Sequence, residues 1–129
     1  MLRVEVKIAG KTINFVTTHL DYQFDDGRLF EAEQLLRFLQ PVKGALIVVG
    51  DFNDEPSGSA SRLMVKGFAD AWLQSQAKES GLSYPADKPN KRIDYIFIRR
   101  ADNLRMKKAW VVNTQASDHL PVIADLELR

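Results

Sequence analysis

Cysteine is absent from the 129 residues, which excludes disulfides and thiolate metal sites. A cysteine-free chain suits the cytoplasm. An excess of one charge is also lacking: 18 Lys+Arg stand against 17 Asp+Glu, a formal net charge of +1. That balance is no footprint of a strong polyanion binder, although local patches stay open. No long apolar run is present. The first residues, MLRVEVKIAG, alternate charged and apolar side chains and read as neither a signal peptide nor a membrane span. There is no internal repeat and no low-complexity segment. What remains is 45% hydrophobic and 27% charged, as in a soluble globular protein. The length suits one domain over residues 1–129 with a core large enough to fold.

The most informative stretch is Ala45–Pro56, ALIVVGDFNDEP. Leu46, Ile47, Val48 and Val49 predict a short strand buried on both faces. Gly50 stops it, and Asp51, Asn53 and Asp54 follow. Open α/β sheets place their sites at the C-terminal ends of such strands. Oxygen ligands of this kind suit hard cations and phosphate chemistry. The same residues also build turns and helix caps, so the stretch alone leaves both readings open.

Before it, Val4, Val6 and Ile8 alternate with Arg3, Glu5 and Lys7, predicting a half-buried strand. A turn at Ala9–Lys11 leads into a second strand, Thr12–Thr18, which ends at TTHL with His19 entering a polar loop. A helix from Asp25 or Asp26 to Leu39 carries its apolar stripe on Leu29, Ala32, Leu36 and Leu39, with Arg28, Glu31 and Arg37 off the stripe. This strand–helix–strand order allows a parallel pair. After the turn, Ser57–Lys66 reads as helical, Phe68, Ala71 and Trp72 as a short apolar turn, and Gln74–Lys91 as a long polar loop. Its basic end, Lys88, Lys91 and Arg92, offers cations to an anionic substrate or simply a solvated loop. In the strand Arg92–Arg99, RIDYIFIR, Asp94 is an acid among apolar residues. Such burial is costly without a partner, and a histidine is the natural one. Arg105–Val112 and Val122–Leu128 complete the strands. Asp118 and His119 sit just before the last one, beside Pro121.

Four motifs therefore stand at strand edges in chain order: TTHLD, GDFNDEP, RIDYIF and SDHLPV. Together they resemble the endonuclease/exonuclease/phosphatase superfamily, the deoxyribonuclease-I-like metal-dependent phosphoesterases, from about Val4 to Leu128. The stretch from Tyr84-Pro85 to RIDYIF is most similar to bacterial phosphodiesterase-type members. The resemblance implies a phosphodiesterase, phosphatase or nuclease served by Mg²⁺ or Mn²⁺. By it, His19 contacts the scissile phosphate, and Asp51 and Asn53 position or activate the water, with Asn53 also holding phosphate or metal. Asp94 orients His119, and Asp118 is a metal ligand. Lys91 and Arg92 join His19 and Asn53 as substrate contacts. Near-neutral charge ranks a phosphomonoester or small phosphodiester above long nucleic acid, with nucleic acid kept open by the basic cluster.

The resemblance covers only the second half of a family domain. Family members have two similar halves whose sheets pack face to face, a four-layer α/β-β/α sandwich. The expected fold here is α/β (α+β): one mixed sheet with helices on one face, half of that sandwich. The family's early asparagine and its metal-binding glutamate belong to the other half, and the 18 residues before His19 cannot supply them. An incomplete metal site follows. So does an alternative function, a non-catalytic remnant or interaction module that keeps the fold. A sheet apolar on both faces with helices on one also implies pairing, with a first-half chain or, two-fold, with itself.

Overall fold

In the computed structural model, which describes residues 1–129, the segments Leu2–Ile8 and Lys11–His19 form an antiparallel hairpin, β1 and β2. Helix α1, Asp25–Leu39, crosses back so that β3, Ala45–Asp51, pairs parallel with β2. Short elements follow: α2, Ser59–Met64; β4, Phe68–Asp70; and α3, Ala71–Gln74. Strand β5, Asp94–Arg99, lies antiparallel between β3 and β4, giving the order β1-β2-β3-β5-β4. The last strands, β6, Leu104–Val111, and β7, Val122–Leu128, form a separate two-stranded ladder.

The α/β class and the mixed sheet are as expected, but not every strand enters that sheet. Both edges of β5 are taken, by β3 along Asp94–Ile98 and by β4 at Phe97–Arg99. The terminal hairpin finds no free edge there and packs across the sheet instead.

Side chains alternate between the faces. One face carries Val16, Leu46, Val48, Tyr95 and Phe97, and α1 and α2 cover it through Ala32, Leu35, Leu39, Ala60 and Met64. Phe52 fills the centre, edge-on to Tyr95 and Phe97 at 5.4 and 5.1 Å between ring centres. Such edge-to-face contacts suit the ring quadrupoles. The opposite face presents Phe15, Ile47, Val49, Ile96 and Ile98. The hairpin and α3 close it at one end only, where Trp72, Ile98, Met106 and Ala109 form a second, smaller core. The four-residue α3 is thus the exception to helices on one face.

Two local expectations are corrected. Strand β1 is exposed along its whole length, not half-buried. It is the sheet's edge, and its apolar row Leu2, Val4 and Val6 continues the uncovered face beside Thr17, Phe15 and Ile13. The buried stripe of α1 is Arg28, Ala32, Leu35 and Leu39, so Arg28 lies inside the fold. The helix begins after Phe24, and the loop before it is fixed by Asp21, whose Oδ1 accepts from the N–H groups of Gln23 and Phe24. No helix is long and apolar enough to cross a membrane.

Candidate functional site

The site is built where three strands end side by side. The register places His19 of β2 beside Asp51 of β3, and Asp51 beside Asp94 of β5. Strand alternation puts all three on the uncovered face, in the row after Thr17, Val49 and Ile96. Gly50 permits the close approach of β2 and β3, because a Cβ there would lie 1.9 Å from the Thr18 carbonyl oxygen.

Beyond Asp51 the chain turns sharply. Asp51 Oδ1 accepts the Asn53 N–H at 2.7 Å, and Asn53 adopts φ +47°, a left-handed conformation that Asn tolerates better than most residues. Asn53 Nδ2 donates to the Leu20 carbonyl at 2.9 Å, and the Leu20 N–H donates to the Asp51 carbonyl at 3.0 Å. The His19 loop and the Asp51 turn are therefore stitched together.

His119 arrives from the loop before β7. Its Nδ1 lies 2.8 Å from Asp94 Oδ2, which supplies the partner that an acid in an apolar strand requires. With Nδ1–H donating to Asp94, Nε2 is left facing the cavity. That nitrogen is 3.8 Å from Asp51 Oδ2, and His19 Nε2 is 3.4 Å from the same oxygen. Asp51 thus stands between the only two histidines of the chain. Burial raises its pKa above the ordinary carboxylate value, opposed by the Asn53 N–H bond and helped by the nearby Asp94 charge. For His119, partial burial works downward, but the hydrogen bond and charge of Asp94, with Asp51 and Asp118 behind it, outweigh that and raise its pKa.

Two further residues complete the dyad's setting: Ser83, which the motifs do not include, and Tyr84, named only as the start of a stretch and given no role. Ser83 is fully buried, and its hydroxyl donates to Asp94 Oδ2 at 2.6 Å, the oxygen that His119 also meets. Tyr84 packs against the His119 ring, 4.7 Å between centres. Their segment also templates the histidine loop: Leu120 N–H donates to the Ser83 carbonyl at 2.7 Å, and Ala86 N–H to the Asp118 carbonyl at 2.8 Å.

These groups open onto a cavity of about 660 Å³, also lined by Tyr22, Arg28, Asp54, Glu55, Lys91 and Asp118. Lys91 is exposed at its rim. Arg92, expected beside it as a substrate contact, is not there. It is 5% exposed and makes a bidentate pair with Asp70, 2.6 and 3.2 Å, beneath the Tyr95 ring. Both residues precede β5; Arg92 turns inward to Asp70 while Lys91, bridged to Tyr84, stays out.

The most compact group of metal-capable side chains is Asp51, Asp94 and His119, whose donor atoms lie within 4.8 Å of one another. Asp94 and His119 already satisfy each other. Asp118 lines the same cavity but stands outside this group, its Oδ1 accepting from Ser117 Oγ at 3.2 Å. Asp51, Asn53 and Asp118, expected to serve water, phosphate and metal, all line this one cavity.

A sequence profile of the Endonuclease/Exonuclease/phosphatase family matches residues 2–119. No curated protein matches the chain in sequence. Among solved structures, the endonuclease/exonuclease/phosphatase from Bacteroides vulgatus superimposes with TM-score 0.79 at 21% identity, covering 94% of this chain and 51% of that one. A mannosyl-6-phosphatase from Bacteroides thetaiotaomicron gives 0.71 at 20% identity, covering 92% and 52%. The human nocturnin catalytic domain with bound sulfate anion gives 0.73 at 23% identity, covering 98% and 51%. At these identities the likeness shows the fold. The chain spans about half the length of these relatives.

Proposed function

The chain belongs to the endonuclease/exonuclease/phosphatase family, and from that membership we propose that its polar cavity is a phosphoester-hydrolysis site. The observation that carries this reading is the placement of His19, Asp51 and Asp94 on adjacent strand ends, with His119 closing over them. Asp51 accepts the proton of an attacking water. His19 and protonated His119, both directed toward Asp51, meet the negative charge that develops on the phosphate as the new P–O bond forms and the old one breaks. Asp94 and Ser83 hold His119 in place, and Asn53 and Lys91 add contacts to phosphate oxygens.

Mg²⁺ or Mn²⁺ held by Asp51, Asn53 and Asp118 would neutralise phosphate charge. A phosphomonoester or small phosphodiester suits the cavity better than a nucleic-acid duplex. With Arg28 and Asp54 facing each other, its lining offers one unpaired cation, Lys91, against Asp51, Glu55 and Asp118, whereas duplex binding draws on a basic face. The site corresponds to the second half of a family domain, and the uncovered sheet face is the natural seat of a second sheet. That sheet comes from a first-half chain or, in its absence, from a second copy packed two-fold. The half-length coverage and the exposed row Leu2, Val4, Val6 and Phe15 support this.

Hydrolysis of p-nitrophenyl phosphate and bis(p-nitrophenyl) phosphate, with Mg²⁺, Mn²⁺ or chelator, tests the activity, and light scattering tests the pairing. Turnover that vanishes in His119→Gln supports the reading. No turnover from the chain, alone or with a first-half partner, leaves the non-catalytic remnant in its place. A stable monomer at micromolar concentration refutes the pairing.

A further inference from the structure

Arg28 is the one charged side chain on the buried stripe of α1. Its residue is 8% exposed, and a guanidinium that far from water needs partners. Two loops supply them. Nη1 donates to the Asp21 carbonyl at 3.2 Å. Nε faces Asp54 Oδ1 at 3.7 Å and makes no hydrogen bond of its own. Nη2 pairs with Asp25 on the helix itself. Asp21 follows His19 in the first loop, and Asp54 follows Asn53 in the second.

Both contact points are themselves anchored. Asp54 Oδ2 accepts the Ser61 N–H at 2.8 Å, and the Asp54 carbonyl accepts the Tyr95 hydroxyl at 2.8 Å. Its carboxylate has room only because residue 58 is glycine: a Cβ there would lie 1.9 Å from Asp54 Oδ1. Asp21 donates its N–H to Glu31 Oε2 at 2.7 Å and accepts the Phe24 N–H at 3.0 Å.

We propose that Arg28 is a positioning residue whose buried guanidinium braces the His19 loop against the turn that carries Asp51 and Asn53. The stitches between Leu20, Asp51 and Asn53 join the loops at the strand ends. Arg28 joins them again from the α1 side, so the loops cannot splay about that seam. The 3.4 Å approach of His19 to Asp51 is then set from both sides. The consequence for phosphate binding rests on the phosphoester reading of the cavity; the brace itself does not.

Arg28→Met, Arg28→Lys and the control Asp25→Asn test it in the full chain. The ring resonances of the two histidines report the site without any ligand. Arg28→Met is expected to move the His19 resonances, leave those of His119, and speed amide exchange at Gln23 and Phe24 by at least about tenfold. Arg28→Lys keeps the charge and loses the fork, so it falls between. Asp25→Asn changes neither readout. Inorganic phosphate is then titrated, and Arg28→Met is expected to weaken its effect on His19 by roughly tenfold. A lowered Tm with unchanged His19 resonances and loop exchange overturns the proposal and makes Arg28 a stability residue only. If Arg28→Met does not fold, Arg28→Lys decides, and unchanged loop exchange in that variant overturns the brace. A parent chain that binds no phosphate refutes the site reading while the resonance and exchange results still decide the brace.

Discussion

Arg92→Met is expected to destabilise the fold severely, although the residue stands next to the exposed, cavity-rim Lys91. The side chains of Arg92 and Asp70 are 6% and 3% exposed and meet at 2.6 Å. Asp70 Oδ1 also accepts the Trp72 N–H at 2.9 Å, which starts α3. Methionine fills most of the arginine's volume, so the dominant loss is the partner of a buried carboxylate. Removing one member of a buried pair costs about 3–5 kcal/mol. Against a total stability of about 5–15 kcal/mol that is a large fraction, equivalent to a fall of about 10–20 °C in Tm at this size. Urea unfolding followed by circular dichroism measures it, with an unchanged slope marking a true stability change. Adding Asp70→Asn removes the stranded charge, and the double variant should recover at least about 1 kcal/mol. Lys91→Met, on the surface, should stay within about 0.5 kcal/mol of the parent. An Arg92→Met loss below about 1 kcal/mol, or a double variant no better than the single, refutes the account of the pair.

Asp94→Asn removes the charge that raises His119 and leaves only a weaker, neutral acceptor for its ring N–H, so the His119 pKa should fall, read by NMR titration; an unchanged value contradicts the dyad. The sign for stability follows. His119 has a folded pKa above its ordinary 6.5, so its contribution is full below that value and is lost as pH rises through the folded pKa. His119→Gln should flatten the urea midpoint across that window, and an equally steep profile would assign the dependence elsewhere. Phe52→Ala empties the centre of the larger core and should cost about 3–5 kcal/mol in urea unfolding; a loss under about 1 kcal/mol would mean the core refills. Asp118→Asn should weaken Mn²⁺ binding by calorimetry, and an unchanged Kd removes Asp118 from the ligand set.

The legible parts of the fold were those fixed by local pattern. The expected strand Thr12–Thr18, the apolar run Leu46–Val49 and the motif positions specified strands, and the ends of the first two placed His19 and Asp51; Asp94, expected inside Arg92–Arg99, is the first residue of β5. The acid inside RIDYIF announced its partner because the cost of burying it alone is large. The illegible parts depend on partners distant in sequence. Arg92 and Lys91 look alike in the chain, and only the Asp70 contact across the fold separates them. Arg28 differs from other helix arginines only through Asp21 and Asp54. Ser83 lies in a stretch that reads as loop, and its value comes from its hydrogen bond to Asp94. The separation of β6 and β7 from the main sheet turns on β4, a three-residue strand too short to leave a pattern.

The position of the site also ties its chemistry to the uncovered face. His19, Asp51 and Asp94 share strand parity with Thr17, Val49 and Ile96 in the next row and with Phe15, Ile47 and Ile98 beyond it, so the polar site and the apolar surface lie on one face of the sheet. An apolar groove of about 550 Å³ runs from Phe15 and Ile47 along β7 to Asp94 and His119. The groove therefore ends at the back of the dyad. Asp94 and His119 line the groove, and His119 lines the polar cavity as well, so water in the groove meets the pair, competes for its hydrogen bond and raises the local dielectric. A sheet seated on that face would expel this water and strengthen the pair, as it strengthens every electrostatic contact in a closed site. Covering the face would thus also sharpen the dyad, because Asp94 and His119 line the groove that such a sheet would fill.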